Sequence, residues 1–226
     1  MAKVFIGVGH GGSDSGAVGM GGLFEKSLNL SIARACAQAL RRSGVAVQLS
    51  RTTDEDDPVA EEVAECNSFA PDLAVDIHNN AGGGDGAETY YSRAGGTGKQ
   101  LAVNILDQLV GLGQRSRGAK TRLTASGADY YAFIRETKAP AVIVECAFVD
   151  TADVELIDTE AERIEAGEAI ARGILQTLGI AYKPEKTLTE ARKLYRVQVG
   201  AYADKANAEA QVERLARAGF AAIITT

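Results

Sequence analysis

Short apolar runs rich in β-branched residues alternate with amphipathic helical segments from Val4 to Gly179, and no other feature restricts the architecture as much. VFIGVG, VAVQLSR, LAVDIH, ETYYS and AVIVECAF read as strands. LNLSIARACAQALRRSG, the stretch from about Val59 to Phe69, GKQLAVNILDQLVGLG and AERIEAGEAIARGILQTLG read as helices, the first closed by Gly44 and the last by Gly179. Strands this uniformly apolar are buried on both faces. The expected fold is therefore α/β: a twisted, largely parallel sheet covered by helices on both faces, followed by a small βαβ unit. A chain of 226 residues that is 46% hydrophobic can build one such core with a small appendage left over.

The character changes after Gly179. Residues 180–193 are polar and charged without an apolar period, as in a linker. Residues 194–226 then read as strand, capped helix and strand, with the helix stopped by Gly219. So small a unit buries too little apolar surface to stand alone. It is expected to pair with a second copy, making a homodimer through the C-terminal repeat, or with further repeats beyond Thr226.

Composition excludes several classes. A net charge of −6 with no Lys/Arg-rich run leaves no basic face for nucleic acid. No stretch is long and apolar enough for membrane insertion, and the apolar run in MAKVFIGVGH is too short for a signal peptide. The chain is therefore expected to be made in the cytoplasm without a signal peptide. GGGDG and SRAGGTG match neither a phosphate loop nor a dinucleotide fingerprint. Cys36, Cys66 and Cys146 lack CxxC spacing and read as buried thiols.

Only two histidines are present. His10 and His78 each sit where an apolar strand runs into a glycine- or asparagine-rich loop, and strand carboxyl ends are where open α/β sheets collect ligands. The glycine-rich loop after His10 can fold back and bring Glu25 beside it. Two imidazoles and one carboxylate suit Zn2+ and leave a fourth position for water. Each residue also has a structural reading: a hydrogen-bonded strand-end imidazole for either histidine, and a helix-dipole partner for Glu25.

Glu145, near the end of the most apolar strand, is a candidate general acid–base, because partial burial raises a carboxyl's pKa. Its structural reading is an ion pair with a cation such as Arg135. Asn79 and Arg135 are the candidate substrate contacts, although Asn79 and Asn80 equally suit a turn. Arg51 and Asp54 read as a loop-bracing ion pair.

GHGGSDSGAVGMGGLFEKSLNLSIA, LSRTTDED, PDLAVDIHNNA, GAETYYS, RGAK and RETKAPAVIVECAFVDTADVELI together resemble, in that order, the zinc-dependent N-acetylmuramoyl-L-alanine amidases of the type-3 class, peptidoglycan hydrolases of bacteria and their phages. The resemblance runs from about residue 3 to 177 and makes residues 1–179 the catalytic domain. It implies His10, Glu25 and His78 as zinc ligands, Glu145 as the catalytic carboxylate, and cleavage of the amide between the muramic acid lactyl group and L-alanine. Two positions depart from the family pattern: Gly7-Val8 stands where Asp-Pro is usual, and Asp76 where Ser is common. Asp76 and His78 lie two apart on a strand, so both side chains share a face, and Asp76 can orient the imidazole. The tail resembles about half of a sporulation-related (SPOR-like) repeat that binds cell-wall glycan. The resemblance thus implies action on the wall after release or non-classical export, as a phage endolysin, a sporulation enzyme or an autolysin. A zinc peptidase acting within stem peptides and a non-catalytic wall-binding protein are the alternatives.

Overall fold

In the computed structural model, which describes residues 1–185, 199–218, 220 and 224, strands and helices alternate through the first part of the chain. The strands are β1 (Lys3–Val8), β2 (Ala46–Leu49), β3 (Leu73–Asn80), β4 (Ala87–Tyr91), β5 (Ser116–Lys120) and β6 (Ala141–Phe148). The helices are α1 (Glu25–Arg42), α2 (Val59–Phe69), α3 (Gly96–Val110), α4 (Ala132–Glu136), α5 (Glu160–Leu178) and α6 (Lys205–Arg217). The strands form one six-stranded sheet in the order β2-β1-β3-β6-β4-β5. All neighbours are parallel except β4 and β6, which are antiparallel.

Strand alternation divides the side chains between two unequal faces. Val4, Ile6 and Val8 of β1, Val75 and Ile77 of β3, and Val142, Val144 and Cys146 of β6 enter the larger core. There they pack with Leu28, Ile32 and Leu40 of α1, Leu101 and Ile105 of α3, and Ile170 and Ile174 of α5. Gly167 and Gly173 let α5 lie close to its neighbours: a Cβ on Gly167 would stand 2.5 Å from the Ile32 carbonyl oxygen, and one on Gly173 2.5 Å from Ile105 Cα. The capping box of Thr159 and Glu162 fixes where α5 begins.

The other face is apolar over only half its length. Phe5, Ala74, Ala141 and Ile143 pack there with Val63 and Cys66 of α2 and Phe133 and Ile134 of α4. Further along the same strands this face carries Gly7, Asp76, His78 and Glu145. The sheet thus delivers polar residues to one open corner at the carboxyl ends of β1, β3 and β6.

β5 and α4 have no counterpart among the elements expected from sequence. Ser116–Lys120 is an edge strand with a single neighbour and shows no apolar alternation, and α4 is too short to display a helical period. All three cysteines are free and buried. Among the described residues, no helix is long and apolar enough to cross a membrane.

The chain divides into two compact units, Met1–Glu185 and Lys186–Thr226. Ile180 and Tyr182 still pack on the first unit's core, and Tyr182 donates a 2.6 Å hydrogen bond to Glu168. In the second unit α6 is capped by Asp204, and none of its residues is buried. In the strand expected over YRVQVGAY, the described Val199–Tyr202 form no strand; the rest of it, most of FAAIITT and most of the expected linker lie outside the described residues.

Candidate metal centre

The loop between β1 and α1 turns back on itself, as its glycines allow. Glu25, the first residue of α1, donates its backbone N–H to the Ala17 carbonyl at 3.0 Å and accepts from the Ala17 N–H at 2.9 Å. His10 adopts a left-handed backbone conformation with φ of 63°, uncommon for a residue with a side chain and most often found at functional sites. Arg51 locks this turn. Its guanidinium is 2% exposed and donates to the carbonyls of Val8, Gly9, Lys26 and Thr53. The ion pair expected between Arg51 and Asp54 does not form: Asp54 instead pairs with Lys26 at 2.8 Å. A ring of carbonyls satisfies the five donors of a buried guanidinium better than one exposed carboxylate can.

His10, Glu25 and His78 converge. One ligand atom from each lies within 4.8 Å of the others. Glu25 Oε2 is 3.2 Å from His10 Nε2, Glu25 Oε1 is 3.1 Å from His78 Nδ1, and the two rings meet edge to face at 5.0 Å. The outward nitrogens face carboxylates: Asp14 Oδ2 at 2.8 Å from His10 Nδ1, and Asp76 Oδ2 at 3.0 Å from His78 Nε2. A carboxylate only accepts, so without a cation both edges of each ring can donate, inward to Glu25 and outward to Asp14 or Asp76; a bound cation would take the place of the inward protons and leave the outward ones on Asp14 and Asp76. Two inward imidazole lone pairs and a buried carboxylate, with outer carboxylates fixing both rings, fit a tetrahedral cation with one open position. Burial pushes the Glu25 carboxyl up, but hydrogen bonds from both histidines outweigh this and hold it well below the usual carboxylate range.

Glu145 stands beside His78 in the β3–β6 register and opposite Glu88 in the β4–β6 register. Burial raises its pKa to about 7 against the pull of His78, with Glu25, Asp76 and Glu88 adding to the rise. Arg135 is not its partner: its guanidinium bonds the carbonyls of Asp129 and Tyr130 and the carboxylate of Glu136. Asn79 is 3% exposed, donates through Nδ2 to Asn29 at 2.8 Å, and gives its backbone N–H to Glu25 at 3.0 Å.

Several residues that shape the site carry weak sequence signals. Asn29 supports Glu25 and the Gly9 carbonyl, and only its position one turn after Glu25 on α1 hints at this. Asp14 lies in a loop with no period. Glu88 is buried and accepts from Asn80, Tyr90, Arg117 and Lys120. Arg117 and Lys120, with Gly83, Gly84 and Arg115, line an open cleft of about 510 Å³.

A family model described as N-acetylmuramoyl-L-alanine amidase matches residues 4–176, and a SPOR domain model matches residues 168–226. The chain belongs to the N-acetylmuramoyl-L-alanine amidase family. The amidase is 35% identical to the N-acetylmuramoyl-L-alanine amidase CwlM of Bacillus licheniformis, over 99% of this chain and 85% of that one. It is 34% identical to the sporulation-specific N-acetylmuramoyl-L-alanine amidase of Bacillus subtilis (strain 168), over 99% of this chain and 84% of its relative. Its fold is similar to the catalytic domain of the amidase CwlV from Bacillus (Paenibacillus) polymyxa var. colistinus, with a TM-score of 0.72 and 28% identity, covering 80% of this chain and all of that one.

Proposed function

We propose that this amidase hydrolyses the amide between the lactyl group of N-acetylmuramic acid and L-alanine in peptidoglycan, with His10, Glu25 and His78 holding a zinc ion and Glu145 moving the proton. The observation that carries the reading is the convergence of three ligand atoms within 4.8 Å of one another, with the carboxyl group of Glu145, lifted to about 7, beside His78 in the β3–β6 register. A zinc ion held there supplies Lewis acidity to polarise the scissile carbonyl and acidify water.

The chain's own groups do the rest. Glu145 accepts a proton from the attacking water and delivers it to the leaving nitrogen, and a carboxyl near neutrality suits both roles. A C–O bond forms and the amide C–N bond breaks, leaving a lactyl carboxylate and a new L-alanine amino terminus. Asn79 contributes from beneath the site, tying β3 to Asn29 and Glu25 rather than touching substrate. Arg135 likewise acts at a distance by fixing the carbonyls of Asp129 and Tyr130. The open cleft lined by Arg115, Ser116, Arg117, Lys120 and Asp85 offers a place for the stem peptide. The tail pairs with a second copy and holds the enzyme on the wall.

Mass spectrometry of digested peptidoglycan tests the reading. The expected products are free lactyl carboxylates and L-alanine amino termini, lost with a chelator and regained with zinc. Cuts between stem-peptide residues, or activity indifferent to chelation, would replace it.

A further inference from the structure

We propose that Asp76 is a positioning residue that turns His78 toward the metal, and that Gly7 exists to give it room. The proposal rests on the zinc reading above and deepens it.

Gly7 is the one residue without a side chain in β1, flanked by Phe5, Ile6 and Val8, all buried. Its backbone is not left-handed, so conformation does not require glycine there. A glycine inside a strand weakens it, and close approach of another group is the usual reason to keep one. Here the approaching groups are two carboxyls. A Cβ on Gly7 would stand 1.9 Å from Glu62 Oε1 and 2.7 Å from Asp76 Oδ1, both far inside contact distance. Gly7 and Asp76 are direct partners in the β1–β3 register. Asp76 therefore leans into a hollow in the sheet, and Glu62 closes that hollow from α2. Neither Glu62 Oε1 nor Asp76 Oδ1 has another hydrogen-bond partner, and both are buried.

The other Asp76 oxygen does the positioning. Oδ2 lies 3.0 Å from His78 Nε2, so Asp76 holds the outer edge of the ring and turns Nδ1 toward Glu25 at 3.1 Å. The two imidazoles are thus held by different means. Asp14, which orients His10, is 67% exposed, whereas the Asp76 side chain is 6% exposed and rooted in the sheet. A buried carboxylate wedged between strand and helix fixes a ring more tightly than one on a solvated loop. His78 is the ligand with the more rigid support.

Zinc affinity, measured by competition with a chromogenic chelator, and the imidazole N–H spectrum of the zinc-loaded protein test this together. With two histidines in the chain, both rings can be assigned. Asp76→Ala is expected to weaken zinc binding by roughly tenfold to a hundredfold and, in the zinc-loaded protein, to shift upfield or lose the His78 Nε2–H signal while leaving that of His10 unchanged. Asp76→Asn, which keeps an acceptor, is expected to recover most of the affinity. Gly7→Ala touches none of the three ligands, yet should weaken binding in the same direction by crowding the carboxylate.

A folded Asp76→Ala protein with parental affinity and an unchanged His78 Nε2–H signal overturns the proposal. So does a folded Gly7→Ala protein with parental affinity. Should Asp76→Ala not fold, Asp76→Asn decides: the His78 Nε2–H proton must move upfield as a neutral acceptor replaces a charged one, and no movement overturns the idea. Failure of the zinc reading itself looks different, since the parent protein would then bind no zinc.

Discussion

On the proposed mechanism Glu145 and the three candidate ligands make separable contributions, and single substitutions should divide them. Glu145→Ala is expected to keep the metal and lose about 10²- to 10⁴-fold in turnover, because it removes only the proton carrier. His10→Ala and His78→Ala should lose the metal itself, as metal analysis of the purified variants would reveal. A Glu145→Ala enzyme with near-parental turnover would unseat this assignment. The acid limb of the activity profile follows from the same residue. A carboxyl at about 7 accepts a proton only above that value, so activity falls as pH drops through it, and a bound cation moves the limb lower.

Glu88 gives a stability prediction of definite sign. Burial would raise its carboxyl, but Lys120, Arg117 and Tyr90 outweigh that and hold it at about 2, below its ordinary 4.5. Its contribution is complete above the ordinary value and is lost as pH falls from 4.5 toward about 2. Glu88→Gln should therefore lower stability by about 2 kcal/mol near neutrality, with parent and variant converging in acid. Urea unfolding curves that stay equally far apart down to the acid limit would contradict it.

Legibility at this scale followed chemical scarcity. Two histidines at two strand ends stood out in the sequence, and the structure brings both to Glu25. Asp14, Asn29 and Glu62 were invisible because acids and amides are common and their partners are distant in the chain.

Among the elements, the helix packing of α5 makes the sharpest claim. In an isolated helix, Gly→Ala gains about 1 kcal/mol. At Gly167 and Gly173 a Cβ would meet the backbones of α1 and α3 at 2.5 Å, so alanine must push helices apart. Each substitution is expected to destabilise by about 1–3 kcal/mol. Gly98 in α3 is the control: its nearest neighbour would be 3.8 Å away, and Gly98→Ala should stabilise by about 0.5–1 kcal/mol. Equal shifts in urea midpoint at the three positions would mean that propensity, not packing, governs α5. Elements with a strong apolar period were legible within a residue or two, as with α2 and the end of α5. β5 and α4 were not, because an edge strand has little apolar burial to advertise and a five-residue helix completes barely more than one turn.

On the scale of the whole molecule, the two compact units have different resources. The first holds the sheet, both cores and the candidate metal centre. In the second, α6 places Ala208, Val212 and Leu215 along one side, and none of them is buried. All three are only half-buried, and association would cover the apolar side of a unit this small more fully. The full chain should therefore sediment as a concentration-dependent dimer, whereas a chain ending at Glu185 should be monomeric. The shortened protein should still bind zinc and cleave small soluble muropeptides, since every ligand lies in the first unit. Retention on intact sacculi should fall with the tail, and lysis of whole walls should fall further than turnover on fragments. A full chain that stays monomeric at every concentration would break the link between tail and pairing. A shortened chain that remains on sacculi as firmly as the parent would return wall binding to the catalytic unit and its basic cleft.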